Sequence, residues 1–271
     1  MYHPNVPDER YRKPENMPPG YRHPKEHGMT YEDVYVTCKD GVKIHAWFVR
    51  ANASPKLCRT IVAFHGNAGN IGARIPIIDI FVKRLNSNFF IVDYRGYGNS
   101  EGTPSEEGLK LDAEATFDYL MNREDVNKER IYLMGSSLGG AVAVQLAMKQ
   151  GENVAGVILE NTFTSIGDMV DQLMPMVATF KSLIQRIFYP TIDRIPKVTS
   201  PILFIRGMKD EIVPKDHSQR LFEASKSARF KQMYECPEGN HNETWRIGGE
   251  EYIAALRAFF IKCEANKNND Q

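Results

Sequence analysis

The sequence predicts an α/β protein with a mainly parallel central sheet covered by helices on both faces. Three observations support this class. Apolar, strand-like runs alternate with helical segments from residue 60 onward, a glycine-rich turn joins one strand–helix pair, and 271 residues suffice for one large domain. Parallel strands require crossover connections, because the chain must return to the same end of the sheet before each new strand. We therefore expect functional loops at the carboxyl ends of the strands.

The individual elements follow from local patterns. Alternating apolar residues from Val34 to Phe48 flank Asp40-Gly41, which predicts a hairpin. Short apolar runs predict strands at 60–64, 88–92, 131–134, 154–159, 201–205 and 231–235. Intervening segments predict helices near 70–85, 105–122, 138–150, 214–226 and 249–263. This pattern indicates one domain over 29–265, preceded by a polar arm or flexible lead-in at 1–28 and followed by a polar tail at 266–271.

The most informative turn is Gly-Ser-Ser-Leu-Gly at residues 135–139, between a predicted strand and a predicted helix. A G-x-S-x-G sequence in this context is typical of a nucleophile elbow, in which a sharp turn exposes a reactive serine. Ser137 is the candidate, because Ser136 would have Met134 and Leu138 at the two glycine positions. A side chain at either flanking glycine would collide with the neighbouring strand or helix.

A serine hydroxyl is a weak nucleophile at neutral pH and requires a base and an acid. In folds with this elbow, the acid and then the histidine follow the serine along the chain. Asp210 follows the predicted 201–205 strand, Glu211 is the alternative acid, and Asp216 falls inside the next predicted helix. His241 is the candidate base, because it alone among the seven histidines combines this order with a loop after the last strand. His241 would take the serine proton, and Asp210 would hold the imidazole in the correct tautomer.

An attacked carbonyl becomes an oxyanion and needs hydrogen-bond donors. One expected donor is the backbone N–H of Leu138, directly after the candidate nucleophile. We assign the second to the backbone N–H of Asn67, because His65-Gly66-Asn67 follows the predicted 60–64 strand.

Several segments together resemble one branch of the α/β-hydrolase superfamily, the bud-emergence-like serine hydrolases. They are HGNAGN at 65–70, DYRGYGNSEG at 93–102, GSSLGG at 135–140, ENTF at 160–163 and GNHNETW at 239–245. The resemblance extends over about Tyr31 to Ile261. It implies an α/β-hydrolase fold, a triad of Ser137, Asp210 and His241, and acyl ester or thioester substrates, since this branch's relatives include lipid hydrolases and protein depalmitoylases. It also implies an apolar N-terminal membrane anchor, which residues 1–28 do not resemble.

Residues 161–195 interrupt the alternation of strands and helices with a Met- and Phe-rich apolar segment. We expect a small helical cap here, and two interpretations stay open: a lid that lines an acyl pocket, or helices that pack on the core. Its apolar side chains also suit peripheral contact with a membrane. The candidate pocket and lid residues are Phe163, Met169, Met174, Phe180 and Trp245.

Composition and charge narrow the possible partners, cellular locations and cofactors of the protein. Thirty-four basic and 34 acidic residues cancel, which gives no electrostatic reason to expect nucleic acid as a partner. The sequence contains no 18-residue apolar stretch and no recognisable secretory signal, so we expect a cytoplasmic or peripheral membrane location. The four cysteines lack metal-like spacing; we expect free thiols, with a Cys38–Cys58 bridge as a minority alternative, and neither metal nor cofactor.

The predicted function is therefore a cofactor-free serine hydrolase that acts through an acyl-enzyme. Its expected partner is a small acyl substrate or an acylated protein, with lipid-like ester or S-acyl (thioester) substrates favoured, which includes protein depalmitoylation. The alternatives are a small-ester carboxylesterase, a serine peptidase-like hydrolase and a catalytically idle scaffold on the same fold.

Overall fold

The computed structural model of this chain describes residues 2–51, 54–173 and 187–269. The strands are β1 (Tyr31–Thr37), β2 (Lys43–Val49), β3 (Thr60–Phe64), β4 (Asn88–Val92), β5 (Ile131–Ser136), β6 (Gly156–Glu160), β7 (Ile202–Gly207) and β8 (Lys231–Cys236). Within the described ranges they form an eight-stranded sheet in the order β1-β2-β4-β3-β5-β6-β7-β8. Each predicted strand is present, with ends shifted by at most two residues.

The pairings confirm a mainly parallel sheet. The pairs β3–β4, β6–β7 and β7–β8 are parallel, whereas β1–β2 and β2–β4 are antiparallel. The first two strands form the predicted hairpin, whose turn places Gly41 at φ +85°, a backbone region that glycine adopts without steric cost. Every residue of β3, β4 and β6 is buried, which explains why these strands are continuous apolar runs rather than alternating ones.

The helices occupy the predicted segments with two differences: the last helix ends at Asn269, six residues beyond the predicted 263, and the segment near 70–85 is not one regular helix. They are α1 (Ile75–Asp79), α2 (Glu106–Met121), α3 (Leu138–Gln150), α4 (Ile166–Leu173), α5 (Thr191–Arg194), α6 (Asp216–Ala224), α7 (Thr244–Ile247) and α8 (Gly249–Asn269). The prediction of one regular helix near 70–85 is wrong. A 3-10 turn at Ile71–Arg74 precedes α1 and a π-helical turn at Ile80–Arg84 follows it. Pro76, in the first turn of α1, has no N–H to continue a regular helix from the preceding turn.

The chain divides into two compact units. The first comprises Met1–Met134 and Asn153–Ala155. In this unit the polar arm forms 3-10 turns at Glu9–Tyr11, Pro14–Asn16 and Pro24–His27. The side-chain amide of Asn70 donates to the carbonyls of Tyr11 and Arg12, at 2.7 and 3.1 Å. The arm therefore lies against the chain that follows β3.

The second unit comprises Gly135–Glu152 and Gly156–Gln271. Its strands β6, β7 and β8 pair in parallel, with Glu160 opposite Ile205 and Gly207 opposite Cys236. The carboxyl ends of these strands therefore lie at one end of the sheet. The candidate nucleophile, acid and base all belong to this unit.

Two further expectations concern thiols and membranes. All four cysteines are described and all are free and buried, so the Cys38–Cys58 alternative is wrong. Among the helices of the described residues, none combines the length and the apolar character that crossing a bilayer would require.

Candidate active site

The candidate nucleophile lies on a strained turn between β5 and α3. Ser137 has φ +53° and ψ −118°, a conformation that costs an L-residue about 1–3 kcal/mol and persists only when its surroundings hold it. Its backbone is fixed on both sides. The Ser137 N–H donates to the carbonyl of Glu160 at 2.9 Å, and the Ser137 carbonyl accepts from the Thr162 hydroxyl at 2.7 Å. The hydroxymethyl group therefore projects from a rigid backbone.

Two glycines make this turn possible. A Cβ on Gly135 would lie 2.2 Å from the carbonyl oxygen of Gly139, as the sequence motif predicts. Gly140, which the motif does not include, is also enclosed, because its Cβ would lie 2.3 Å from the Thr162 hydroxyl oxygen. The first turn of α3 thus packs directly against the chain that follows β6.

The predicted acid and base are in contact. Asp210 follows β7, and its Oδ2 lies 2.8 Å from Nδ1 of His241, which follows β8. Both side chains are buried, with 3% and 8% of their surface exposed. The other Asp210 oxygen accepts from the backbone N–H groups of Ile212 and Val213, each at 2.8 Å. Because Asp210 binds Nδ1–H, the other ring nitrogen of His241 carries the lone pair that a general base needs.

The two candidate acids make different contacts with His241. Glu211 accepts from the backbone N–H of His241 at 3.3 Å and does not take the ring contact. Asp216 begins α6, as predicted, and accepts from the side-chain amide of Gln172 at 3.0 Å. Asp210 is therefore the carboxylate that orients the histidine ring.

The two expected oxyanion donors belong to different units. Leu138 is the first residue of α3, so its backbone N–H is among those left without an intrahelical partner, at the positive end of the helix dipole. Asn67 belongs to the first unit. Both assignments stay predictions, and each is supported by the geometry of its own unit.

The loop after β3 orients the Asn67 N–H. Nδ1 of His65 lies 2.6 Å from the carbonyl oxygen of Gly66, so this ring nitrogen donates. Burial lowers the pKa of His65 to about 3, which keeps the ring neutral. The peptide that joins Gly66 to Asn67 is planar and trans, so its N–H points away from the carbonyl that His65 holds. The N–H of Asn67 is thus directed away from the His65 ring.

The arm supports the same loop. The backbone of His3 accepts from the Gly69 N–H at 3.2 Å and donates toward the Asn67 carbonyl at 3.3 Å. The buried Tyr97 hydroxyl also donates to the Asn67 carbonyl, at 2.8 Å. Sequence reasoning missed this support, because a pattern of Pro, His and Arg does not reveal which distant backbone it will contact.

The predicted lid residues have mixed outcomes. Phe163 is buried, Met169 is half-buried in α4, and Trp245 is half-buried in α7 with its indole N–H donating to the Asn242 carbonyl at 3.1 Å. Met174 and Phe180 lie outside the described residues. Their assignment to an acyl pocket stays a prediction.

Sequence reasoning assigned no role to His217, a buried residue of α6 that contacts α4. Nδ1 of His217 accepts the backbone N–H of Thr164 at 3.1 Å, so its other nitrogen donates to Gln172 at 2.7 Å. The Thr164 hydroxyl lies 2.5 Å from Asp168, which also pairs with Arg220 at 2.8 Å. Burial lowers the pKa of His217, which favours this neutral, hydrogen-bonded form. His217 thus fastens both ends of α4.

Metal ligation has no candidate in the part of the chain that the structure describes: no group of three or more His, Cys, Asp or Glu side chains is arranged to hold an ion.

Comparison with known proteins assigns the class. The sequence model of the family described as "alpha/beta hydrolase fold" matches residues 59–190. Among solved structures, the Pyrococcus furiosus esterase Pf2001 superposes with a TM-score of 0.72 at 22% identity, covering 89% of this chain and 93% of the esterase. Est1E from Butyrivibrio proteoclasticus superposes with a TM-score of 0.68 at 18% identity, covering 86% and 99%. At these identities the superpositions show a shared fold.

Curated relatives assign the branch. The "Alpha/beta hydrolase domain-containing protein WAV2" of Arabidopsis thaliana is 40% identical over 262 residues, which is 91% of this chain and 84% of WAV2. "Protein bem46" of Schizosaccharomyces pombe is 38% identical over 253 residues, 93% of this chain and 82% of bem46. The chain belongs to the α/β-hydrolase fold family, in the branch that contains bem46 and WAV2, and the resemblance inferred from its motifs is confirmed.

Proposed function

We propose that this chain is a serine hydrolase that cleaves acyl esters or thioesters through an acyl-enzyme. One observation carries the proposal: the buried Asp210–His241 contact of 2.8 Å lies in the same compact unit as the strained Ser137 elbow. An imidazole held by an aspartate, together with a serine on a strained elbow, is the apparatus of acyl transfer.

The first half-reaction forms the acyl-enzyme. His241 takes the Ser137 hydroxyl proton at Nε2 as the serine oxygen attacks the acyl carbonyl carbon. The Leu138 N–H stabilises the oxyanion, with the Asn67 N–H as the predicted second donor. The tetrahedral intermediate collapses, the bond to the leaving oxygen or sulfur breaks, and the imidazolium returns its proton to that atom.

The second half-reaction regenerates the enzyme. His241 takes a proton from water, the resulting hydroxide attacks the acyl carbonyl, and the serine oxygen leaves with the proton that His241 returns. The products are a carboxylic acid and free Ser137. Asp210 stabilises the imidazolium in both halves.

The preference for long acyl chains is supported by α4. Ile166, Met169 and Val170 recur at helical spacing and are half-buried, so the helix presents an apolar stripe rather than a fully packed face. Later in the chain, Phe188 is 53% exposed. Flexible Met side chains suit acyl chains of variable conformation. We favour lipid-like and S-acyl substrates on this basis, with protein depalmitoylation as one form of that activity.

The test uses a chain-length series of p-nitrophenyl esters and acyl thioesters, together with labelling by a fluorophosphonate probe. The matched pair of variants is Ser137→Ala and Ser136→Ala, since both serines are half-buried neighbours in one turn. We expect activity that rises with chain length, with activity and labelling lost in Ser137→Ala alone.

Other outcomes would redirect the assignment. Activity confined to short esters would favour a small-ester carboxylesterase. Loss of labelling in Ser136→Ala would overturn the choice of nucleophile. A folded wild-type protein that neither hydrolyses any substrate in the series nor reacts with the probe would indicate a catalytically idle scaffold.

A further inference from the structure

Asn161 directly follows β6 and is held in an unusual backbone conformation. Its φ is +48°, a region that few residues other than glycine occupy, and only 2% of its surface is exposed. Conformations of this kind persist where the surrounding contacts over-determine them. We therefore expect the contacts of the Asn161 side chain to account for this backbone conformation.

The Asn161 amide uses both of its ends. Its Nδ2 donates to the carbonyl oxygens of Asn240 and His241, at 3.1 and 3.0 Å, and also lies 3.1 Å from the Thr244 hydroxyl. Its Oδ1 accepts the backbone N–H of Gly207 at 2.8 Å. One side chain thus binds the loop that follows β8 and the end of β7.

These two segments carry the acid and the base. Gly207 ends β7 three residues before Asp210, and His241 is itself one of the residues whose carbonyl Asn161 holds. The two segments also approach each other directly, because a Cβ on Gly207 would lie 2.4 Å from the Gly239 carbonyl oxygen. A change in the length or polarity of the Asn161 side chain would therefore be transmitted to the contact between Asp210 and His241.

We propose that Asn161 is a positioning residue that sets the His241 ring against Asp210, an inference that rests on the proposed triad. An amide is required because the position needs a donor toward the carbonyls and an acceptor for the Gly207 N–H at once. A carboxylate of the same shape keeps the acceptor but loses the donor and places negative charge beside two carbonyl oxygens. The neighbours of Asn161 bind the Ser137 backbone, so residues 160–162 contact all three segments that bear the triad.

The chain offers a matched control in Asn88, at the amino end of β4. Its Oδ1 accepts a backbone N–H, from Ala51 at 3.1 Å, and its Nδ2 donates to the Pro55 carbonyl at 2.9 Å and lies 3.3 Å from the Thr60 hydroxyl. Asn88 is buried, as Asn161 is, and 0% of its surface is exposed. Asn88→Asp therefore breaks the same kind of contacts at the opposite end of a strand.

The experiment compares Asn161→Asp with Asn88→Asp. For each, kcat and KM are measured on the p-nitrophenyl ester that the wild type cleaves fastest, with the rate of fluorophosphonate labelling and the Tm. We expect both variants to lose thermal stability. Only Asn161→Asp should lose kcat and labelling rate, by about 10- to 100-fold with KM nearly unchanged, because the defect is in the orientation of the base.

Asn161→Gly guards against a variant that fails to fold, since glycine accepts the positive φ while removing the amide. It should show the same selective loss of kcat and labelling rate. If either folded Asn161 variant loses only Tm, as Asn88→Asp does, the role of Asn161 is structural and the inference is overturned. Failure of the wild type to label at Ser137 would instead remove the proposed function, so the two failures are distinguishable.

Discussion

Two loops at the carboxyl ends of buried strands hold their functional groups in different ways. After β3, in the first unit, the candidate group is the backbone N–H of Asn67, which is oriented by the His65 ring and by the arm at His3. After β6, in the second unit, the Asn161 side-chain amide binds backbone groups of the segments that carry the candidate acid and base. The loop after β3 is held by residues outside it, whereas the loop after β6 holds other segments in place.

This difference predicts where each unit is sensitive to substitution. A backbone donor survives replacement of its own side chain, so the first unit should tolerate changes at Asn67 and respond to changes in its supports. A side-chain acid or base is lost when it is replaced, so the second unit should respond most strongly at Asp210 and His241. Four predictions test this contrast, from the largest expected effect to the smallest.

Removing the acid should have the largest effect. Asp210→Asn cannot stabilise the imidazolium and favours the wrong ring tautomer, so kcat should fall by about 10⁴-fold. Glu211→Gln is the matched control, because Glu211 accepts from the backbone N–H of His241 and does not contact its ring. This variant should retain kcat within about 10-fold. The measurement is kcat on a p-nitrophenyl ester. Equal losses in the two variants would contradict the choice of Asp210.

Loss of the support for the Asn67 N–H should come next. His65→Leu removes the ring nitrogen that binds the Gly66 carbonyl, so kcat should fall by about 10- to 100-fold, less than for outright removal of an oxyanion donor. His65→Asn places an amide N–H near the position of Nδ1 and should recover most of that loss.

Asn67→Ala completes this comparison. It should stay within about threefold of the wild type, because the backbone N–H remains. A larger loss in Asn67→Ala than in His65→Leu would show that the Asn67 side chain, and not its backbone, serves the reaction. The readouts are kcat and, as a check on folding, Tm.

Removing the arm's contact should have a smaller effect. Deleting residues 2–5 removes the His3 backbone, which holds Gly69 and Asn67, and should lower kcat by about threefold to tenfold through looser orientation of the loop. His3→Ala keeps the backbone contacts and should match the wild type. The same loss in His3→Ala and in the deletion would assign the effect to the imidazole instead.

The smallest effect concerns pH and His217. Burial lowers the pKa of His217 in the folded chain. In the unfolded chain the pKa of this histidine is the ordinary value of about 6.5, so just below that pH the unfolded chain binds a proton that the folded chain does not. Stability supplied by neutral His217 is therefore full above that pH and is lost as the pH falls toward the folded-state pKa. Urea denaturation at pH 7.5 and 5.5 should show a larger loss of stability for the wild type than for His217→Gln. An equal loss in both proteins would exclude His217 as the titrating group.

Local patterns were sufficient for much of the fold and for naming the candidate triad. Buried strands such as β3 and β4 are continuous apolar runs, and the elbow at Ser137 follows from glycine spacing between a strand and a helix. Chain order then selected Asp210 and His241. The regular helix near 70–85 was wrong because apolar spacing does not distinguish 3-10, α and π hydrogen bonding.

The sequence by itself therefore determined the order of the elements and which residues are candidates for the chemistry, because these depend on periodicity and spacing along the chain. The tertiary structure alone decided that Asp210 rather than Glu211 meets the His241 ring, that the arm holds the loop after β3, and that Asn161 binds two distant segments. These contacts join residues about 30 to 80 positions apart. Their partners are chosen by strand order and register, which bring together backbone groups that no local pattern relates.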